Sequence, residues 1–190
     1  MDSKFTENKT FEKKDFTKII LPKGEYDSCV FIDCNFYDTN LASYTFNECE
    51  FRGCDLSLSK LNGTILNDVR FKDCKLLGLH FKDCNDFVLS VSYDGCNLKL
   101  STFYKLKLRK TNFKSCNLQD VDFSDTDLTG STFDVCDLQR AIFSNTNLEK
   151  VDFRSSIGYT LDPEKNRIRK AKFSRSEVVG LLSKYDIEIE

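Results

Sequence analysis

The side chains with the most chemistry to offer are nine cysteines, a single histidine, and regularly placed carboxylates and amides. The cysteines could cross-link or hold a metal. Nine is an odd number for disulfides. Cys34, Cys54 and Cys74 are spaced by 20, as are Cys96, Cys116 and Cys136; side chains stacked at a fixed interval run parallel, whereas a disulfide needs a specific dihedral between facing sulfurs. Zinc is no better served: Cys29/Cys34, Cys49/Cys54 and Cys74/Cys84 lack the paired Cys-x₂₋₄-Cys spacing of zinc sites. Cysteine as a small buried hydrophobe is what remains. His80 is expected to face outward as a plain surface residue, and there is no glycine-rich phosphate loop or nucleophile elbow. The recurrent Asn35, Asn40, Asp55, Asn97, Asn112, Asn117, Asp122, Asp127, Asp137, Asn147 and Asp152 could be taken for catalytic carboxylate pairs; residues of this type also bond their own backbone at turns. No catalytic, cofactor-binding or metal-binding residue is expected, and the chain does not read as an enzyme.

The elements that position these residues follow from a period of five. Every fifth residue from Phe11 through Phe81 is apolar, and after a slip of two the series resumes at Val88 and runs from Tyr93 to Phe153. With each of these at position i, eight cysteines fall at i−2, as Cys84 does when the first register is projected to residue 86; the position otherwise holds mostly small or β-branched residues such as Thr39, Ser59, Val121 and Ala141. Helices want apolar residues at i, i+3 and i+4, and strands want alternation; five fits neither. A sustained odd period means a repeat architecture. A large inward residue at i and a small one at i−2 describe a chain that turns a corner every five residues. Four corners close a square coil of about 20 residues, and coils stack at the ~4.8 Å strand spacing.

Here the chain resembles the pentapeptide-repeat family. Cys116-Asn117-Leu118-Gln119-Asp120, Val121-Asp122-Phe123-Ser124-Asp125, Thr126-Asp127-Leu128-Thr129-Gly130 and Val151-Asp152-Phe153-Arg154-Ser155 carry the resemblance, which extends over roughly residues 11–157. It implies an all-β solenoid, a right-handed quadrilateral β-helix. The expected organisation is an N-terminal cap over 1–10, a β-helix over 11–157 with the register slip at 82–87, and a C-terminal part over 158–190. In the last, Ser174-Arg175-Ser176-Glu177 reads as a capping box before a short amphipathic helix of roughly ten residues. Asp186-Ile187-Glu188-Ile189-Glu190 alternates like an edge strand.

Charge is banded. Between Glu25 and Asp68 eight acidic residues face Arg52 and Lys60; between Cys116 and Phe153 eight more face Arg140 and Lys150. Lys99, Lys105, Lys107, Arg109, Lys110 and Lys114 form a basic band between them, and Lys165–Arg175 a second. Like-charged bands create fields that attract an oppositely charged groove. No apolar run is long enough to span a membrane and the N-terminus has no secretory h-region, so a cytoplasmic location is expected.

The terminal arrangement is similar to that of the quinolone-resistance (Qnr-type) branch. That resemblance implies a DNA mimic that binds DNA gyrase or topoisomerase IV and protects it from poisons. It implies partner-binding carboxylates at Asp120, Asp122, Asp125, Asp127, Asp134 and Asp137. It also implies a homodimer joined through Val178, Val179, Leu181, Leu182, Tyr185, Ile187 and Ile189. A protein-interaction scaffold with a partner unrelated to DNA is the alternative; direct nucleic-acid binding is not expected.

Overall fold

The computed structural model describes residues 4–185 and 187–189. The chain is wound into a parallel β-helix with four walls, because each pentapeptide buries i and i−2 and turns at i+2. Wall I begins as a four-stranded parallel sheet of β1 (Lys4–Glu7), β3 (Gly24–Asp27), β5 (Thr45–Asn47) and β7 (Ile65–Asn67). Wall II is a seven-stranded parallel sheet of β2 (Thr10–Glu12), β4 (Val30–Ile32), β6 (Glu50–Arg52), β8 (Val69–Lys72), β9 (Val91–Asp94), β10 (Asn112–Lys114) and β11 (Thr132–Asp134). Walls III and IV are ladders of single parallel bridges, for example Asn97 to Asn117 to Asp137 and His80 to Thr102 to Asp122.

Within the coil the large residues sort by wall. Nine aromatic rings from Phe11 to Phe173 stack up wall II, and Phe81, Phe103, Phe123 and Phe143 stack up wall IV. Rings from the two walls meet edge to face in the centre, as Phe103 and Phe113 do at 5.9 Å and 81°, the arrangement the aromatic quadrupole favours. Leucines of walls I and III, such as Leu108, Leu118, Leu128 and Leu138, close the sides and are fully buried.

The cysteines are buried and free, yet they are more than small hydrophobes. An i−2 side chain donates to the carbonyl 23 residues earlier: Cys54 Sγ to Phe31 O (3.3 Å), Thr126 Oγ1 to Phe103 O (2.9 Å), Ser156 Oγ to Phe133 O (2.7 Å). Cysteine, serine and threonine therefore interchange there because each satisfies a buried corner carbonyl.

Four expectations are corrected. Residues 4–10 are not a separate cap: Lys4–Glu7 pairs residue for residue with Gly24–Asp27, so the coil is under way by Lys4; Met1–Ser3 lie outside the described residues. At the slip, Val88 does not turn inward. It is 39% exposed and Leu89 packs against the core instead, because the two extra residues are absorbed between Asn85, which still bonds Thr64, and Ser90, which bonds Leu66. The ten-residue helix is replaced by two 3₁₀ turns, Val178–Leu181 and Ser183–Tyr185. Ser174 Oγ does accept from the Glu177 N–H (3.2 Å), but the Glu177 carboxylate accepts from the Gly158 N–H (2.9 Å) rather than closing the box. Gly180 is pressed so close to the rod that a β-carbon there would lie 2.0 Å from the Tyr159 carbonyl oxygen. Residues 187–189 form no strand, and Asp186 and Glu190 lie outside the described residues.

Candidate functional site

Outward side chains sit at i−1, i+1 and i+2, and the amides and carboxylates at i−1 do turn work. Asn35, Asn40, Asp55, Asn97, Asn117, Asp122, Asp127, Asp137, Asn147 and Asp152 each accept from the backbone N–H two residues on. His80 is exposed on wall IV, with its Nδ1 3.8 Å from Asp83.

The six carboxylates expected to form one partner-binding face are distributed over all four walls. Asp120 and Asp137 lie on wall III, Asp122 and Asp125 on wall IV, Asp127 on wall I and Asp134 on wall II. Neighbouring coils also engage them. Arg140 bonds Asp120 through Nε (2.6 Å) and Nη2 (2.8 Å), and Lys99 lies 3.9 Å away. Arg109 Nε bonds Asp127 (2.6 Å), Gln119 bonds Asp137 (2.6 Å), and Ser155 bonds Asp134 (2.8 Å). The Arg140 guanidinium holds the Asp120 carboxyl below its ordinary range. Burial would raise Asp127, but bonds from Thr129 and Arg109 keep it low.

Asp152 is the most perturbed of these carboxylates. Arg154 bonds it and Lys172 lies 3.5 Å away, so its pKa falls to about 2. A folded value below the unfolded ~3.9 adds stability above about pH 4 that is lost as pH drops through about 2. The pair is near the surface, so the expected effect is a few tenths of a kcal/mol. The gap in urea midpoint between wild type and Asp152→Asn should therefore be present near neutrality and close as the pH falls through this window.

The structure gathers charge elsewhere. Along wall I, Glu7, Glu25, Asp27, Glu48, Asp68 and Asp86 rise through successive coils, and apart from the exposed Lys4 at the start of β1 that wall holds no lysine or arginine up to Val88. Asn47 donates to Glu25 (2.8 Å), and Arg70 of wall II lies 3.7 Å from Asp68. Glu7, Glu48 and Asp86 have no ion-pair partner among the described residues. The ladder ends at the inserted residues, where Phe87 is 92% exposed; Lys107, Arg109 and Lys110 then reverse the sign. Sampling the outward positions of the sequence every 20 residues would have exposed this ladder; counting charge along the chain mixes the walls.

At the far end, Val178, Val179, Leu182, Tyr185, Ile187 and Ile189 are 38–56% exposed, while Leu181 packs against the core. No helix among the described residues is long and apolar enough to cross a membrane.

Comparison with known proteins agrees with this geometry. A family model described as "Pentapeptide repeat region" matches residues 24–86 and 88–181. No curated protein matches the sequence. Among solved structures, a trypsin-treated form of QnrB1, described as a plasmid-mediated fluoroquinolone resistance protein, is similar at 20% identity and a TM-score of 0.65, covering 98% of this chain and 89% of that one. HetL from the cyanobacterium Nostoc sp. strain PCC 7120, described as involved in heterocyst differentiation regulation, is similar at 17% identity and a TM-score of 0.52, covering 90% and 84%. At these identities the likeness is one of fold. With the four-walled coil, the donor at i−2 and the matched model all in agreement, the chain belongs to the pentapeptide-repeat family.

Proposed function

We propose that this protein is a non-enzymatic binding rod that sets a linear array of carboxylates into a cationic protein groove. The groove assigned to it is the DNA-binding groove of a type II topoisomerase, DNA gyrase or topoisomerase IV, which it protects from fluoroquinolone-type poisons. The wall I ladder is the observation that carries this reading. Six carboxylates over five coils, roughly 20 Å at the strand spacing, give one charge every 3–4 Å of rod axis, close to the one charge per ~3.4 Å of helix axis that a single DNA strand carries. Glu25, Asp27, Glu48 and Asp68 are its centre, and Phe87 provides an apolar contact at its end. The dispersed Asp120–Asp137 set contributes less, being spread over four walls and partly neutralised. Two rods would join through the apolar end, with Val178, Val179, Leu182, Tyr185, Ile187 and Ile189 facing a second copy.

A partner unrelated to DNA topology is the second reading. It is favoured by the abrupt change of sign at Lys107, since a full-length mimic of DNA would stay negative. Gyrase supercoiling with and without ciprofloxacin, titrated with this protein, separates the two. The topoisomerase reading expects wild type to alter supercoiling or restore it in the presence of drug, an effect that weakens with salt. A Glu25→Lys/Asp27→Lys/Glu48→Lys variant should lose it, while Asp122→Lys/Asp125→Lys should keep most of it. No effect of wild type at micromolar concentration would sink the topoisomerase reading.

A further inference from the structure

The corner between walls III and IV, away from the acidic ladder, carries a different surface. In three successive coils its i+2 positions hold Leu58, Gly78 and Leu100, all with left-handed backbone (φ 60°, 63° and 63°). That conformation suits glycine, asparagine and aspartate and is unfavourable for a bulky side chain. Among the described non-glycine residues that share it, only Leu58, Leu100 and Val135 are apolar. Leu58 and Leu100 are 46% and 56% exposed, so the core gains little from either. The Leu58 side chain leans over Gly78, between the two: a β-carbon there would lie 2.9 Å from a Leu58 methyl, so glycine leaves the room that methyl fills.

The surroundings are cationic. Over the same coils the outward positions of the two walls bring Lys60, Lys75, Lys82, Lys99 and Lys105 against Asp55 and Asp83. Lys99 has Asp120 at 3.9 Å, and Lys105 lies over the Tyr104 ring. Lys60, Lys75 and Lys82 make no ion pair among the described residues.

We propose that this corner docks an acidic amphipathic helix of a partner protein. Leu58 and Leu100 are two coils apart, about 10 Å, which matches the ~10.5 Å between helix residues seven apart. Apolar residues at i, i+4 and i+7 of such a helix meet the Leu58 side chain, its methyl over Gly78, and Leu100. Carboxylates on its flanks meet the lysines, a pairing that gives both orientation and specificity.

The test is fluorescence anisotropy with a labelled synthetic helical peptide bearing leucines at i, i+4 and i+7 and flanking glutamates. One control peptide has lysine in place of each glutamate, another alanine in place of each leucine. The protein is used as wild type, Leu58→Asp/Leu100→Asp and Lys82→Glu/Lys99→Glu. Aspartate already occupies i+2 at Asp33, Asp38 and Asp120, so the leucine variant keeps its fold, which its thermal melt verifies. Wild type should bind the acidic peptide about tenfold or more tighter than either control, and each variant should lose about tenfold or more. Equal binding of the three peptides, a preference for the lysine peptide, or undiminished binding by the leucine variant would overturn the proposal.

Discussion

Phe113→Ala is expected to lower the unfolding free energy by about 3–5 kcal/mol. Phe113 is fully buried at mid-rod. Its ring stacks on Tyr93 at 5.1 Å and Phe133 at 4.9 Å, and meets Phe103 and Phe123 edge to face at 5.9 Å. Truncation leaves a ring-sized void, and the rings above and below cannot close on it, because each is fixed to its own strand at the coil spacing. Solenoid stability is a sum of local coil terms and neighbour interfaces, so the loss falls on one junction. Urea denaturation followed by circular dichroism should show a lower midpoint and, where the junction parts before the rest, a shallower transition. A loss below about 1 kcal/mol would mean that the stack collapses around the gap, against the rigid packing described here.

Leu98→Asp and Leu100→Asp, two residues apart on the same wall, should give opposite results. Leu98 is at an inward i position and fully buried. Aspartate there loses the leucine packing and buries a carboxyl without a partner, with an expected cost of about 4 kcal/mol or more. Leu100 is at i+2 with φ 63° and is 56% exposed. Aspartate tolerates that backbone better than leucine does, so stability should change by no more than about 0.5 kcal/mol, in either direction. Paired thermal melts check the prediction, and similar losses in both variants would contradict the inward and outward register.

That register was legible in the sequence because packing repeats. One residue in five must be large and apolar, and another must fit a tight corner, whatever the surface does. What the i−2 position contributes was only half legible: its small size shows in the composition, but its donation to a carbonyl 23 residues back depends on the closed coil. The slip was visible, but Leu89 rather than Val88 fills the core, since the extra residues form a local loop that no periodicity describes. The helix expected after Ser174 fails for a similar reason. Its spacing was helical, but Gly180 is held against Tyr159 and the segment tightens to 3₁₀ turns. Surface charge was the least legible. Asp120, Asp122, Asp125 and Asp127 are near neighbours in sequence but lie on three walls, two corners apart, whereas Glu7, Glu25, Glu48 and Asp68 are far apart in sequence and share a wall.

The column of thiols from Cys34 to Cys136 has a consequence for how the rod comes apart. Each sulfur is sealed beneath its neighbours, and burial disfavours the thiolate, as it does at Cys49 and Cys84 on other walls, whose thiols it pushes up to about 12, so an alkylating reagent finds little thiolate to attack. A cysteine becomes reactive only when its coil peels away. Coils touch only their neighbours, so peeling proceeds inward from the two ends. The order in which these cysteines acquire a chemical label is therefore a positional record of unwinding, kept by residues whose first role is to hold the corners closed.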